Sequence, residues 1–261
     1  MTNLAYNDSG SGDPVLFISG TGGAGRTWHI HQVPAFLQAG YRCVTFDNRG
    51  IGETENAGGF STPQMVADTA ELIERAIGGP TRLVALSMGA FIAQELMLVR
   101  PELVTQAVLM GTRGRLDATR KAFRAADLAM ADSAAELPPA YAAKVRVLEN
   151  FSPKTINGPG IGDWMEMFTA FPLRRTPGWR AQLTVAPTEN RLPSYRSIAA
   201  EVLVIGFADD VITPPALGRE VGEAIPRGRY VQIANAGHLG FLERPEQVNA
   251  AMLDFFAGTL I

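Results

Sequence analysis

Short apolar runs bounded by glycine, aspartate or asparagine recur along the chain. Nearly every position within a run is apolar, which is typical of strands in a parallel sheet whose two faces are both covered. The segments between the runs show helical periodicity instead. Strands that alternate with helices predict an α/β fold with a mostly parallel, doubly wound sheet. The six predicted strands are Val15–Ile18, Cys43–Phe46, Leu83–Leu86, Ala107–Met110, Val202–Ile205 and Tyr230–Ile233.

The alternation stops between residues 116 and 197, where no convincing strand occurs. Eight of the seventeen prolines lie between Pro138 and Pro193. The sequence on either side looks like two halves of one core, although an independent second domain is the alternative. We therefore expect residues 116–197 to form a helical lid inserted into an α/β core made of residues 1–115 and 198–261.

Composition narrows the class of protein. Hydrophobic residues make up 46% of the 261 residues and charged residues 19%, which is enough apolar material for a buried core. The net charge of −3 comes without basic clusters, so neither nucleic acid nor a membrane is an expected partner. No apolar run reaches the roughly 18 residues that span a bilayer, and the N-terminus lacks a secretory signal pattern. We expect a cytoplasmic protein; association into a homo-oligomer stays open.

The single cysteine, Cys43, lies inside a predicted strand. One thiol excludes an internal disulfide framework and argues against a cysteine-based zinc site. A free cysteine in an apolar run is more often buried and structural than nucleophilic. We therefore expect no metal and no catalytic role for this thiol.

Ser87 stands between a predicted strand and a predicted helix, in the sequence Ala85-Leu86-Ser87-Met88-Gly89. A nucleophile elbow has this order, with a serine at the tip of a sharp turn and small residues two positions before and after it. Ala85 and Gly89 are those residues, although Ala85 replaces the usual glycine. The start of the helix also brings a positive partial charge to the serine. The alternative is an ordinary serine at a turn.

A histidine and a pair of aspartates follow the last two predicted strands. His238 comes after the last strand, where a general base can reach a serine on a neighbouring strand end. Asp209 and Asp210 follow the strand before it, and either could orient the imidazole. The order serine, aspartate, histidine is that of α/β-hydrolases.

A glycine-rich loop, Ser19–Gly23, follows the first predicted strand. Its backbone can turn an N–H group toward Ser87, and we expect the N–H groups of Thr21 and Met88 to form an oxyanion hole.

The same region permits a different interpretation. Gly20–Gly25 satisfies the dinucleotide-binding pattern G-x-G-x-x-G after a strand, and Asp47 stands where a ribose-binding acid is expected. An NAD(P)-dependent dehydrogenase is therefore the alternative from another class. The residues after Gly25 make a poor start for a crossover helix, and this interpretation leaves Ser87 and His238 unexplained. We rank it below the hydrolase and expect no cofactor.

With two further motifs, the chain resembles the α/β-hydrolase superfamily everywhere except in the lid. Asp47–Thr54 is similar to the D-x-R-G-x-G-x-S/T loop of many members, and His238 is followed by Glu243-Arg244-Pro245-Glu246. The nearest resemblance is to small bacterial esterases known as cofactor-free (non-haem) haloperoxidases, and then to enol-lactonases. It implies a metal-free triad, an acyl-enzyme on Ser87 and incidental perhydrolysis with peroxide. Ser19 departs from the family, because relatives usually have histidine there.

The resemblance also bears on which aspartate completes the triad. Many relatives place the acid three residues after a glycine, which selects Asp209 when counted from Gly206. They also place a proline four residues after the acid, which selects Asp210 when counted from Pro214. A gap-free alignment of the preceding strand agrees with Asp210. The predicted triad is Ser87, Asp210 and His238.

The predicted function is hydrolysis of a carboxylic ester or lactone of a small, largely apolar substrate, in the esterase-like class EC 3.1. The sequence Ser-Met-Gly-Ala at Ser87–Ala90 also occurs in hydrolases that release acyl groups from carrier proteins. A thioesterase, or an acyl-releasing or cyclising biosynthetic enzyme, is therefore the alternative. A non-catalytic binding module on the same fold is a further one.

In the lid, Trp164, Met167, Phe168 and Phe171 recur at helical spacing. Such a stripe is usually part of a packed core, and we favour packing of the lid onto the core over an acyl pocket above Ser87. Four arginines could bind a substrate carboxylate, but solvated surface is the better interpretation for most of them. They are Arg113, Arg115, Arg174 and Arg175.

Overall fold

A single sheet organises the chain in the computed structural model, which describes residues 3–54 and 59–260. Within these residues the sheet has seven strands in the order β1-β3-β2-β4-β5-β6-β7. All neighbouring strands are parallel except β1, which runs antiparallel to β3. The strands are β1 (Tyr6–Ser9), β2 (Pro14–Ile18), β3 (Arg42–Phe46), β4 (Thr81–Leu86), β5 (Val104–Met110), β6 (Glu201–Phe207) and β7 (Gly228–Ile233).

The predicted α/β-hydrolase fold with its mostly parallel sheet is confirmed, and each of the six predicted strands lies within an observed one. The sequence pattern missed β1, whose residues Tyr-Asn-Asp-Ser are polar and largely exposed. β1 is an edge strand that pairs through its backbone with one neighbour, and its side chains are mostly exposed, so it leaves no apolar signal.

Helices cover the sheet and fill the segment between β5 and β6. They are α1 (Gln32–Gln38), α2 (Thr62–Leu72), α3 (Met88–Val99), α4 (Ala118–Asp132), α5 (Pro139–Asn150), α6 (Pro153–Ile156), α7 (Ile161–Ala170), α8 (Pro177–Gln182), α9 (Leu192–Tyr195), α10 (Pro215–Ala224), α11 (Gly240–Glu243) and α12 (Pro245–Phe256). Short 3-10 turns span Gly25–His29 and Pro101–Leu103, and a π-helical turn extends α2 over Ile73–Ile77.

The two faces of the sheet carry separate apolar layers. Leu16 and Ile18 of β2 pack with α2, α3 and α10. Val15 and Phe17 of the same strand point the other way and pack with α1 and α12. Side chains alternate across a strand, so an apolar residue at every position requires cover on both faces. This is why the strands read as continuous apolar runs.

The segment 116–197 holds helices α4–α9 and no strand of the described sheet. It enters after β5 and leaves before β6, and these two strands pair directly in parallel. The insertion therefore leaves the sheet continuous, and residues 116–197 are called the lid below. Among the described residues, no helix is both long and apolar enough to cross a membrane.

Cys43 lies in β3 with 1% of its surface exposed. Burial raises the pKa of its thiol to about 12, and the thiolate is the reactive form of cysteine. We expect an aromatic disulfide reagent to label no thiol in the native protein and one thiol per chain in denaturant. Stoichiometric labelling of the native protein within minutes would show that Cys43 is accessible and reactive.

Candidate active site

Ser87 forms the turn between β4 and α3, with φ +54° and ψ −116°. Ser87 and Asn235 are the two non-glycine residues with positive φ in the described chain. The backbone N–H of Ser87 donates to the carbonyl of Met110 on β5 (2.9 Å), and its carbonyl accepts from the N–H of Phe91 (3.0 Å). The turn is thus tied to the neighbouring strand on one side and to the helix on the other.

The small residues around Ser87 allow close backbone packing. A Cβ at Gly89 would lie 2.7 Å from the carbonyl oxygen of Ser19 and closer still to that of Ile18. Any larger residue at this position would push α3 away from β2. Ala85 is fully buried and pairs in register with Ile18. Alanine therefore fits where glycine is usual, and the departure at Ala85 leaves the turn intact.

His238 and Asp210 are in direct contact. Nδ1 of His238 lies 2.8 Å from Oδ2 of Asp210, and the two residues are 6% and 3% exposed. The second carboxylate oxygen accepts the backbone N–H groups of Ile212 and Thr213, each at 2.8 Å. Asp209 is held differently, since its backbone N–H donates a hydrogen bond to the carbonyl of Ala236. Of the two aspartates, Asp210 is the one that the fold brings to His238.

Thr213 is a further polar neighbour of this pair, and the sequence reasoning missed it. Its Oγ lies 2.8 Å from Asp210 Oδ2, 3.0 Å from His238 Nδ1 and 3.0 Å from the carbonyl oxygen of Gly111. The only sequence signal was a threonine three residues after the acid. Gly111, with φ +52°, lies against the ring, since a Cβ there would be 3.1 Å from His238 Cε1. Carboxylate and imidazole are therefore enclosed on several sides.

The glycine-rich loop after β2 passes beside Ser87. A Cβ at Gly20 would lie 3.2 Å from Ser87 Cβ and 3.8 Å from its Oγ, so Thr21 follows directly on a residue in contact with the serine. Met88 is the first residue of α3, where a backbone N–H has no acceptor within its own helix. Both residues are at the serine end of the sheet, as an oxyanion hole requires.

Ser19, which departs from the family pattern, is part of a local network. Its hydroxyl accepts from the indole N–H of Trp28 at 3.0 Å, and its carbonyl accepts from Nδ2 of Asn48 at 3.2 Å. The serine therefore anchors the start of the loop.

The residues of the dinucleotide pattern have structural partners. Asp47 accepts the backbone N–H groups of Gly25 and Glu53, one on each carboxylate oxygen. Gly25 starts a short 3-10 turn instead of a crossover helix, and a Cβ there would collide with the backbone of Phe46. This geometry gives the dehydrogenase alternative no support.

Gln182 of α8 joins the lid to two loops of the core. It is fully buried; its Oε1 accepts from the N–H of Gly22 (2.9 Å), and its Nε2 donates to the carbonyl of Arg49 (2.9 Å). Gly22 also lies under Trp179, which a Cβ at that glycine would approach to 2.8 Å. The lid thus covers the loop that carries Thr21.

Glu243 joins the lid to the segment that carries His238. Its carboxylate accepts the N–H of Gly237 (2.6 Å) and both the N–H (3.0 Å) and the hydroxyl (2.7 Å) of Ser152. Sequence analysis placed Glu243 only in a family motif. Its long-range partner, 91 positions away, left no local signal.

The aromatic stripe of the lid packs the lid helices together. Phe168 is 4% exposed and stacks on Phe151 with ring centroids 5.7 Å apart, while Trp164 meets Phe151 edge-on. Phe171 is 66% exposed, because α7 ends at Ala170 and the chain turns outward. Phe168 therefore packs within the lid, whereas Trp164 also packs against the core layer, as the favoured role requires. Phe171 belongs to neither the lid core nor a buried pocket.

A serine on a sharp turn, an imidazole and a buried carboxylate are the groups used for nucleophilic acyl transfer. Within the residues described, no group of three or more histidine, cysteine, aspartate or glutamate side chains is placed to share a metal ion.

Comparison with known proteins agrees with this geometry. Residues 15–251 match the model of the "Alpha/beta hydrolase family". The chain is 67% identical, over 98% of both chains, to "Putative non-heme bromoperoxidase BpoC" of Mycobacterium tuberculosis. The crystal structure of BpoC from strain H37Rv superposes with a TM-score of 0.96, at 66% identity, over 98% of this chain and 96% of that one.

A more distant similarity is to a thermophilic esterase from Thermogutta terrifontis, with a TM-score of 0.83 at 25% identity, over 100% of this chain and 95% of that one. The resemblance to α/β-hydrolases, and among them to haloperoxidase-like members, is therefore confirmed. The chain belongs to the alpha/beta hydrolase family and is an enzyme of that family.

Proposed function

We propose that the protein is a serine hydrolase that cleaves a carboxylic ester or lactone through an acyl-enzyme on Ser87. The observation that carries the proposal is the 2.8 Å contact between His238 Nδ1 and Asp210 Oδ2. When Nδ1 donates to the carboxylate, Nε2 is left unprotonated and serves as the general base. The buried Asp210 then stabilises the imidazolium that forms.

The reaction proceeds in two steps. Ser87 Oγ attacks the acyl carbon while its proton moves to His238 Nε2, and the backbone N–H groups of Thr21 and Met88 stabilise the oxyanion. Collapse breaks the bond to the leaving oxygen, which takes the proton from His238. Water then attacks the acyl-enzyme, gives a proton to His238 and releases the acid, and the proton returns to Ser87.

The relatives support the substrate class. The family supports a small-molecule substrate, and the Thermogutta terrifontis protein is an esterase. The bromoperoxidase name of the M. tuberculosis relative supports incidental perhydrolysis, in which hydrogen peroxide replaces water and the acyl group leaves as a peracid. We propose a small, largely apolar acyl group.

A second candidate is a thioesterase or an acyl-releasing or cyclising enzyme. It is favoured by the sequence Ser-Met-Gly-Ala at Ser87–Ala90. The same acyl-enzyme would serve it, with a thiolate as the leaving group. Parallel assays on matched oxygen esters and thioesters separate the two candidates by kcat/KM.

Ser87 is expected to react with a fluorophosphonate probe, since an activated serine is the group that such probes modify. One adduct should form per chain of the wild type and none on Ser87→Ala, as measured by intact mass. The matched control is Ser197→Ala, which removes an exposed hydroxyl and should label like the wild type. Labelling of Ser87→Ala at the wild-type rate would exclude Ser87 as the nucleophile.

We expect substitution of Asp210 to lower turnover strongly and substitution of Asp209 to leave it almost unchanged. Asp210→Asn removes the carboxylate that orients His238, and loss of such an acid can lower kcat on the order of 10⁴-fold. Asp209→Asn, the neighbouring isosteric change, should leave kcat within a few-fold of the wild type. The comparison uses a saturating p-nitrophenyl ester. A large loss for Asp209→Asn with little loss for Asp210→Asn would refute the assignment.

A further inference from the structure

Two arginines that follow β5 have buried side-chain donors without acceptors. Nε of Arg113, and both Nε and Nη1 of Arg120, are inaccessible to solvent and lack a hydrogen-bond partner in the described part of the chain. Arg120 is 8% exposed in all. A third arginine, Arg124, lies one helical turn after Arg120 and donates to the carbonyls of Leu183 and Thr184.

The nearby carboxylates are already engaged. Asp117 caps α4 and accepts the backbone N–H of Arg120 at 2.7 Å. The carboxylate of Asp210 is hydrogen-bonded to His238, Thr213 and two backbone N–H groups. None of the hydrogen bonds described for the three arginine side chains therefore ends on a carboxylate.

The electrostatics of Arg113 match this arrangement. Burial lowers the pKa of its guanidinium to about 10; the Asp210 and Asp117 charges oppose that shift, while the cations of Arg120 and Arg124 add to it. A buried cationic donor without a hydrogen-bonded anion is costly. Arg113 is partly exposed as a residue, but its Nε is buried, and the charge of Arg120 acts on it. Two cations with unsatisfied buried donors that influence each other indicate a place for an anionic ligand.

This place lies within reach of Ser87. The carbonyl of Met110 accepts the N–H of Ser87, and Arg113 follows three residues later. Three residues span no more than about 11 Å. The backbone of Arg113 therefore lies within the length of an extended acyl chain attached to Ser87, and the charge of Asp210 acts on the Arg113 guanidinium.

We propose that Arg113 and Arg120 bind a carboxylate at the far end of the substrate's acyl chain. The planar guanidinium matches a carboxylate in shape and charge, and two of them can share its oxygens. This inference rests on the proposed hydrolysis at Ser87 and narrows its substrate to an ester or lactone whose apolar chain ends in a carboxylate. Of the arginines considered from sequence, only Arg113 belongs to this site.

Binding tests the site without catalysis. On the Ser87→Ala protein, calorimetry should show tighter binding of adipate than of hexanoate, its monocarboxylate counterpart. Adding Arg120→Met or Arg113→Met should weaken adipate binding about 10-fold or more, which corresponds to one charged hydrogen bond. Adding Arg196→Met, at an exposed arginine, should not weaken it. Equal affinity for the two acids would overturn the proposal. So would an affinity for inorganic phosphate as high as the affinity for adipate, measured in the same way.

Kinetics provide the second arm. The kcat/KM for the p-nitrophenyl monoester of adipic acid, divided by that for p-nitrophenyl hexanoate, should fall at least 10-fold in Arg120→Met and stay unchanged in Arg196→Met. The guanidinium of Arg120 also lies over the ring of Phe123, 5.0 Å from its centroid, so melting temperatures of the wild type and the variants check that each variant folds. Equal losses on both esters would contradict the site. If adipate binds as expected but Ser87→Ala remains active, the serine mechanism fails and the carboxylate site stands.

Discussion

Ser87 occupies a backbone conformation that a residue with a side chain rarely adopts, and its neighbours hold it there. Residues in such regions cost of order 1–3 kcal/mol each and persist where the surroundings determine them. The surroundings here are the N–H···O bond to Met110, the start of α3 and the tight contact of Gly89 with the backbone of Ile18 and Ser19. The strain fixes the hydroxyl at the end of the sheet, where the loops after β2, β5, β6 and β7 converge.

Buried hydrogen bonds then position everything else around this turn. The side chain of Gln182 links α8 by a hydrogen bond to the loop after β2. The carboxylate of Glu243 accepts hydrogen bonds from Ser152 and from the backbone N–H just before His238. Both side chains are buried, so each broken bond would leave an unsatisfied polar group away from water. The lid is thus attached to the loop after β2 and to the loop that carries His238. Through these contacts it contributes to the geometry of the proposed triad.

The parts predictable from sequence were those with local patterns. Six strands showed as apolar runs, five of them largely buried and β7 only partly, and the small residues around Ser87 predicted its sharp turn. The polar strand β1 was missed because a local pattern does not decide backbone pairing at the edge of a sheet. The position of Phe171 was ambiguous because a local pattern does not decide where a helix ends. Gln182, Glu243 and Arg120 were invisible because their significance comes from partners, or the lack of partners, far along the chain. Thr213 acts in the same way, through its contact with His238 in the loop after β7.

The most direct test of the strained turn compares the free energies of unfolding of Ser87→Gly and Ser87→Ala. Both variants remove the hydroxyl, so they differ only in backbone freedom and one methyl group. Glycine usually lowers stability relative to alanine by roughly 0.5–1 kcal/mol. At φ +54° the order should invert, with Ser87→Gly more stable by about 1–2 kcal/mol. If Ser87→Ala is equally stable or more stable, the turn stores no strain and the account of how the serine is held is wrong.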